Sequence, residues 1–207
     1  MQYAPTDGVP MMNRYNPDIN HRRSIRLQGY DYAEAGAYFV TVCTYNREFL
    51  FGEITNGEMR LNEIGQVVIE EWLRTADVRK NIELDAFVVM PNHFHGIVVI
   101  TGNGRGVLQY APTANQPSLR SPSQTIGAIV RGFKSITTKR INIIRNTLGV
   151  PVWQRNYYEH IIRTEDESNL LREYIVNNPA QWELDEENPD RVEQHGVGAR
   201  RAVPLRM

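Results

Sequence analysis

Apolar and polar positions recur with two different periods along this chain, and the switches between them mark its elements. Residues 37–45 (AYFVTVCTY) are β-branched and aromatic, the composition of a central strand. Residues 49–54 and 58–61, separated by Thr55-Asn56-Gly57, predict a small hairpin with a glycine-containing turn. Over residues 62–76 the period lengthens to that of a helix. Ile64, Val67, Val68, Glu71 and Trp72 share one face, with Glu71 its polar exception, and Asn62 stands where an N-cap belongs. Residues 83–90 and 95–101 are the next two strands, joined through Pro91-Asn92.

A second helix is predicted over residues 124–147. Ile126, Ile129, Val130, Phe133, Ile136, Thr137, Ile141 and Ile144 turn inward, while Arg131, Lys134, Thr138, Lys139, Asn142 and Arg145 lie outside or at the flanks. Gly149 and Pro151 end it. Residues 157–163 (YYEHIIR) form a further strand. Residues 165–178 form a third helix, capped by Thr164 with Glu167 three positions on and stopped before Pro179. The order is strand, helix, strand, strand, helix, strand, with one helix appended. That is the ferredoxin-like split βαβ pattern of an α+β domain: an antiparallel sheet with helices on one face.

The remaining segments lack either period. Residues 1–20 are rich in Pro, Asn and Met and read as a loose tail; residues 101–123, rich in Gly, Pro, Ser, Asn and Gln, read as a flexible insertion. The domain is therefore expected over residues 21–182, with a C-terminal tail over 183–207. The pentapeptide Gln2-Tyr3-Ala4-Pro5-Thr6 recurs as Gln109-Tyr110-Ala111-Pro112-Thr113, too short and too few for a repeat architecture. No apolar run approaches the roughly 20 residues that span a bilayer, so no membrane partner is expected. The single cysteine, Cys43, excludes an internal disulfide and fits a reducing cytoplasm.

The net charge of −1 hides a segregation. Between Arg120 and Arg163 eight Arg or Lys residues face one acid, Glu159; between Glu165 and Asp190 nine acids face Arg172 alone. A basic block of this kind is either a solvated helix face or a phosphate-binding surface.

Candidate chemistry centres on Pro91-Asn92-His93-Phe94-His95. In a strand alternate side chains share a face, so His93 and His95 point one way and Phe94 the other. Two imidazoles on one face can grip a divalent ion, or they can be ordinary hydrogen-bonded residues of a half-buried strand. On the last helix Tyr174 and Asn178 are four residues apart and hence neighbours. They are a core aromatic and a helix-end residue, or a phenol nucleophile beside an amide oxygen that completes a metal site.

Together these features resemble a known family. The chain is similar to the single-tyrosine HUH transposases of the insertion-sequence type, and more closely to the REP-associated tyrosine transposases. The resemblance runs through Arg22-Arg23-Ser24-Ile25-Arg26-Leu27, Gly29-Tyr30-Asp31-Tyr32, the 37–44 strand, Met90-Pro91-Asn92-His93-Phe94-His95, Trp153-Gln154-Arg155 and Tyr174-Ile175-Val176-Asn177-Asn178-Pro179. It implies that His93, His95 and Asn178 ligate a divalent metal, Mg²⁺ or Mn²⁺, and that Tyr174 is the nucleophile, with Tyr157 and Tyr158 as rivals. It also implies that single-stranded DNA near hairpin-forming palindromes is cleaved and joined through a covalent 5′-phosphotyrosine. Arg131, Lys134, Lys139 and Arg145, with Arg22, Arg23 and Arg26 of a basic arm, are expected to hold its phosphates. The expected setting is the cytoplasm at the nucleoid, as monomer or homodimer. Two other readings stand beside this one: a catalytically silent DNA-hairpin-binding protein, and a metal-dependent phosphodiesterase that uses water as its nucleophile.

Overall fold

The computed structural model describes residues 35–101 and 125–191. The arm with Arg22, Arg23 and Arg26, the 1–20 tail, the bulk of the 101–123 insertion and residues 192–207 lie outside the described residues. Four strands form one antiparallel sheet in the order β4-β5-β1-β6: β1 is Gly36–Cys43, β4 Ile82–Val89, β5 His93–Ile100 and β6 Tyr158–Ile162. This is the strand order of the split βαβ pattern, with each crossover helix bridging two parallel, non-adjacent strands. A separate hairpin, β2 (Gly52–Thr55) and β3 (Glu58–Leu61), turns through Asn56 and Gly57, both at positive φ (55° and 75°). Asparagine and glycine are the residues that tolerate that region.

The strand parity sorts the sheet into two layers. Tyr38, Val40, Val42 and Phe94 face α1 (Glu63–Asp77) and α2 (Ile126–Ile144), where Trp72, Phe94 and Phe133 meet with ring centroids 4.5–5.3 Å apart. Gly96 lies on this side because a Cβ there would come within 2.7 Å of the Trp72 ring. Phe39, Thr41, His93, His95 and Ile97 face the other way, and α3 (Glu165–Asn177) covers them with Leu171 and Ile175. The expected pair of helices on one face is present, and α3 occupies the opposite one. Two hydrogen bonds from Arg172 to Asp85 (2.9 and 2.7 Å), beside the irregularity in β4, fix α3 across the sheet.

Local signals hold at the helix starts. Asn62 accepts from the Gly65 amide at 2.9 Å, and Thr164 from the Glu167 amide at 3.2 Å. Three positions of α2 depart from the periodic expectation. Ile136 and Ile144 are exposed, and Asn142 is buried because its amide donates to the Val150 carbonyl at 2.8 Å. A buried amide is tolerated when it finds such a partner.

Candidate metal centre and active site

The strand break at Pro91-Asn92 sets up the first ligand candidate. Met90 N–H donates to the His93 carbonyl at 2.8 Å, closing the turn. The buried Asn92 side chain then donates through Nδ2 to the Glu187 carbonyl (2.8 Å) and towards the Arg47 carbonyl (3.4 Å). With its amide nitrogen committed, Asn92 presents Oδ1 to His93 Nδ1 at 2.9 Å, and an oxygen can only accept. His93 therefore carries its proton on Nδ1 and keeps a bare lone pair on Nε2. That Nε2 is buried and has no hydrogen-bond partner among the described residues.

His95 is placed by the same logic one step along β5. Its Nδ1 pairs with the Thr41 hydroxyl at 2.8 Å, Thr41 being its cross-strand neighbour on β1, and Phe39 stacks on its ring at 5.2 Å. Burial drives both imidazoles towards the neutral, metal-binding form. His93 is lowered to about 3 by burial and then by the Arg47 charge, against a small opposing effect of the Asn178 amide. His95 is pushed well down by burial and by His93 beside it.

The chain after α3 closes the third side. Asn178 caps α3, and Pro179–Leu184 continues as a 3-10 turn that lays Trp182 over His93 at 6.0 Å and brings Asp185 inward. His93, His95 and Asp185 offer ligand atoms that all lie within 4.8 Å of one another. Asn178 Nδ2 donates to Asp185 Oδ2 at 2.8 Å, which leaves Asn178 Oδ1 buried and without a partner. The Tyr174 hydroxyl, one helical turn back, sits 3.3 Å from His95 Nε2. Burial first, then Asp185, Glu187 and Glu186, push this phenol well above its ordinary range, with the Asn178 side chain opposing them.

A divalent ion fits these groups. Two neutral imidazoles, one carboxylate and one amide oxygen form a mixed donor set, and both orphaned atoms would gain a partner that each now lacks, at a cost of about 1–3 kcal/mol apiece. The structure thus brings together His93, His95, Asn178 and Tyr174 as the sequence placed them. Asp185 was missed: it lies in the segment expected as a tail, where only an acidic run marked it, and both it and Asn188 are buried.

Of the rival tyrosines, Tyr157 precedes β6 and Tyr158 opens it, packed against the same cluster as Tyr174. Tyr157 donates to Glu159 at 2.6 Å, and Tyr158 pairs with Thr41 across β6 and packs against the Phe39 cluster. The cations of α2 are not gathered at the centre, because the helix covers the opposite face of the sheet. Arg131 and Lys139 project into solvent, and Arg145 lies 4.0 Å from Glu48. Lys134 is turned to another purpose: its ammonium donates to the carbonyls of Gln154, Arg155 and Asn156, tying that loop to α2.

No family model matches the chain. A protein of Haemophilus influenzae described as uncharacterized is 45% identical over 178 residues, covering 85% of this chain and 98% of its own length. Among solved structures, that of the REP-associated tyrosine transposase bound to a REP hairpin is 19% identical, with a TM-score of 0.49 over 77% of this chain and 74% of the other. A crystal structure from Deinococcus radiodurans is 17% identical, with a TM-score of 0.42 over 74% of this chain and 97% of the other. No helix among the described residues is long and apolar enough to cross a membrane.

Proposed function

We propose that this chain, which belongs to one family with the Haemophilus influenzae protein, is a metal-dependent enzyme that cleaves and rejoins single-stranded DNA through Tyr174. The observation that carries the reading is the Tyr174 hydroxyl 3.3 Å from His95 Nε2, beside a His93–His95–Asp185 cluster whose ligand atoms lie within 4.8 Å. The motifs around these residues, similar to those of the HUH transposases, support it independently of the geometry.

Mg²⁺ or Mn²⁺ held by His93 Nε2, His95 Nε2 and the oxygens of Asn178 and Asp185 would polarise a phosphodiester and offset its developing charge. The residues do the rest. Asn92 and Thr41 orient the two imidazoles, and Asp185 fixes the Asn178 amide with its oxygen facing inward. At neutral pH Tyr174 keeps its proton, and its hydroxyl stands 3.3 Å from His95 Nε2, so the phenol is placed at the centre before it reacts. In the reaction its oxygen bonds to phosphorus, the bond from phosphorus to the 3′ oxygen breaks, and the phenol proton is lost as the departing 3′ oxygen gains one. The 5′-phosphotyrosine conserves the energy of the broken linkage, so a second 3′-OH reverses the step and joins strands without ATP. A substrate that folds into hairpins, with phosphates held by Arg131, Lys139 and Arg145 and by the 21–26 arm, follows from the same resemblance.

The test is a labelled single strand incubated with the protein and Mn²⁺, resolved on a denaturing gel. A slow covalent band is expected from the native protein and none from Tyr174→Phe, which keeps the ring and loses the nucleophile. Cleavage that proceeds with no covalent band from either would assign the attack to water.

A further inference from the structure

At the end of β1 two loops border an open depression of about 370 Å³ lined by Tyr45, Asn46, Arg47, Gln154 and Arg155. Its walls are tied together by backbone: Tyr45 N–H donates to the Val152 carbonyl (2.8 Å) and Gln154 N–H to the Cys43 carbonyl (2.9 Å). The Lys134 ammonium anchors the second wall through three carbonyls. The cavity is thus built on fixed supports, at the small end of the roughly 300–1,000 Å³ usual for ligand sites.

Its lining is unusual in three respects. Asn46 and Arg47 are both in the left-handed region (φ 53° and 56°), which an arginine adopts only when its surroundings insist. The Tyr45 ring is 44% exposed. The Gln154 amide and the Arg155 guanidinium have no partner among the described residues, although the loop that carries them is rigidly held. An open aromatic face, two side-chain amides and the Arg155 guanidinium are the chemistry that takes a stacked base, its polar edge and its phosphate.

The cavity also adjoins the metal centre. Arg47 is paired with Glu187 at 2.9 Å and accepts from Asn92, the residue that orients His93.

We propose that this cavity binds one nucleotide of a single-stranded DNA, its base stacked on Tyr45 and its phosphate held by Arg155. The site rests on the cleavage reading above and adds the place where the strand is gripped beside the cut.

Fluorescence anisotropy on the full chain with EDTA present tests it without cleavage, using an oligothymidylate and an abasic oligomer of equal length. Tyr45→Ala should weaken binding of the oligothymidylate about tenfold, Tyr45→Phe should not, and the abasic oligomer should bind native and Tyr45→Ala proteins alike. Arg155→Gln should lower the salt slope by about 0.7 for one lost phosphate contact. Equal affinity of native and Tyr45→Ala proteins for the oligothymidylate, with an unchanged slope for Arg155→Gln, would overturn the site, and so would a preference for the matching oligouridylate. If those variants bind normally while the native protein still forms its covalent adduct, the cavity alone is wrong. If the native protein binds neither oligomer nor forms an adduct, the cleavage reading falls with it.

Discussion

The two faces of the same sheet have been given opposite tasks, and β5 serves both. On one face Phe94 meets Trp72 and Phe133, and Val42, Val40 and Tyr38 complete a dry layer under α1 and α2. On the other, His93 and His95 are as deeply buried, yet they face Asp185, Asn178 and Tyr174, and two polar atoms there lack partners. Burial is equal on the two faces, and the first also leaves one polar atom, Trp72 Nε1, without a partner among the described residues; what differs is that the orphaned atoms of the second, an imidazole nitrogen and an amide oxygen, are lone-pair donors set beside a carboxylate. One face stabilises by removing apolar surface from water, while the other holds polar groups in an arrangement that costs stability and is useful only for binding something.

Substitutions should separate the faces. The largest effect on stability belongs to Phe94→Ala, which removes a ring packed between two helices and should cost about 3–5 kcal/mol in urea denaturation. A loss under 1 kcal/mol would mean that the dry layer is not the core. His93→Ala should cost less, because it also removes an orphaned nitrogen, but it should abolish saturable Mn²⁺ binding in calorimetry. Undiminished Mn²⁺ affinity in that variant would remove His93 from the centre.

A smaller effect concerns acid. The folded His93 takes up a proton only near pH 3, whereas an unfolded histidine does so near pH 6.5. Between those values the unfolded state binds the extra proton, so stability with EDTA present should fall as pH drops from about 6.5 towards 3. His93→Gln should flatten this slope, and a slope equal to that of the native protein would assign the acid sensitivity to other groups.

How much of this could be read in the sequence depended on how local the cause was. The caps at Asn62 and Thr164, the Asn56-Gly57 turn and the alternation through His93-Phe94-His95 act within a few residues, and each is found where its pattern lies. Tyr174 and Asn178 share a helix face for the same reason. Asp185 has no such signature: its burial follows from the turn after Pro179, which folds an acidic, aperiodic stretch back against His93. Lys134 had a periodicity that said only "outside", and the carbonyls that claim it come from a loop some 20 residues on. Ile136 and Ile144 fit the inward stripe by spacing alone, but no element among the described residues reaches far enough to cover them.

The central claim is that the phenol which α3 sets 3.3 Å from His95, that of Tyr174, is the nucleophile. Mass spectrometry of the trapped protein–DNA adduct after proteolysis addresses it directly. The account predicts the nucleotide on the peptide spanning residues 171–178, attached to Tyr174. A nucleotide found on Tyr157 or Tyr158 instead would contradict it.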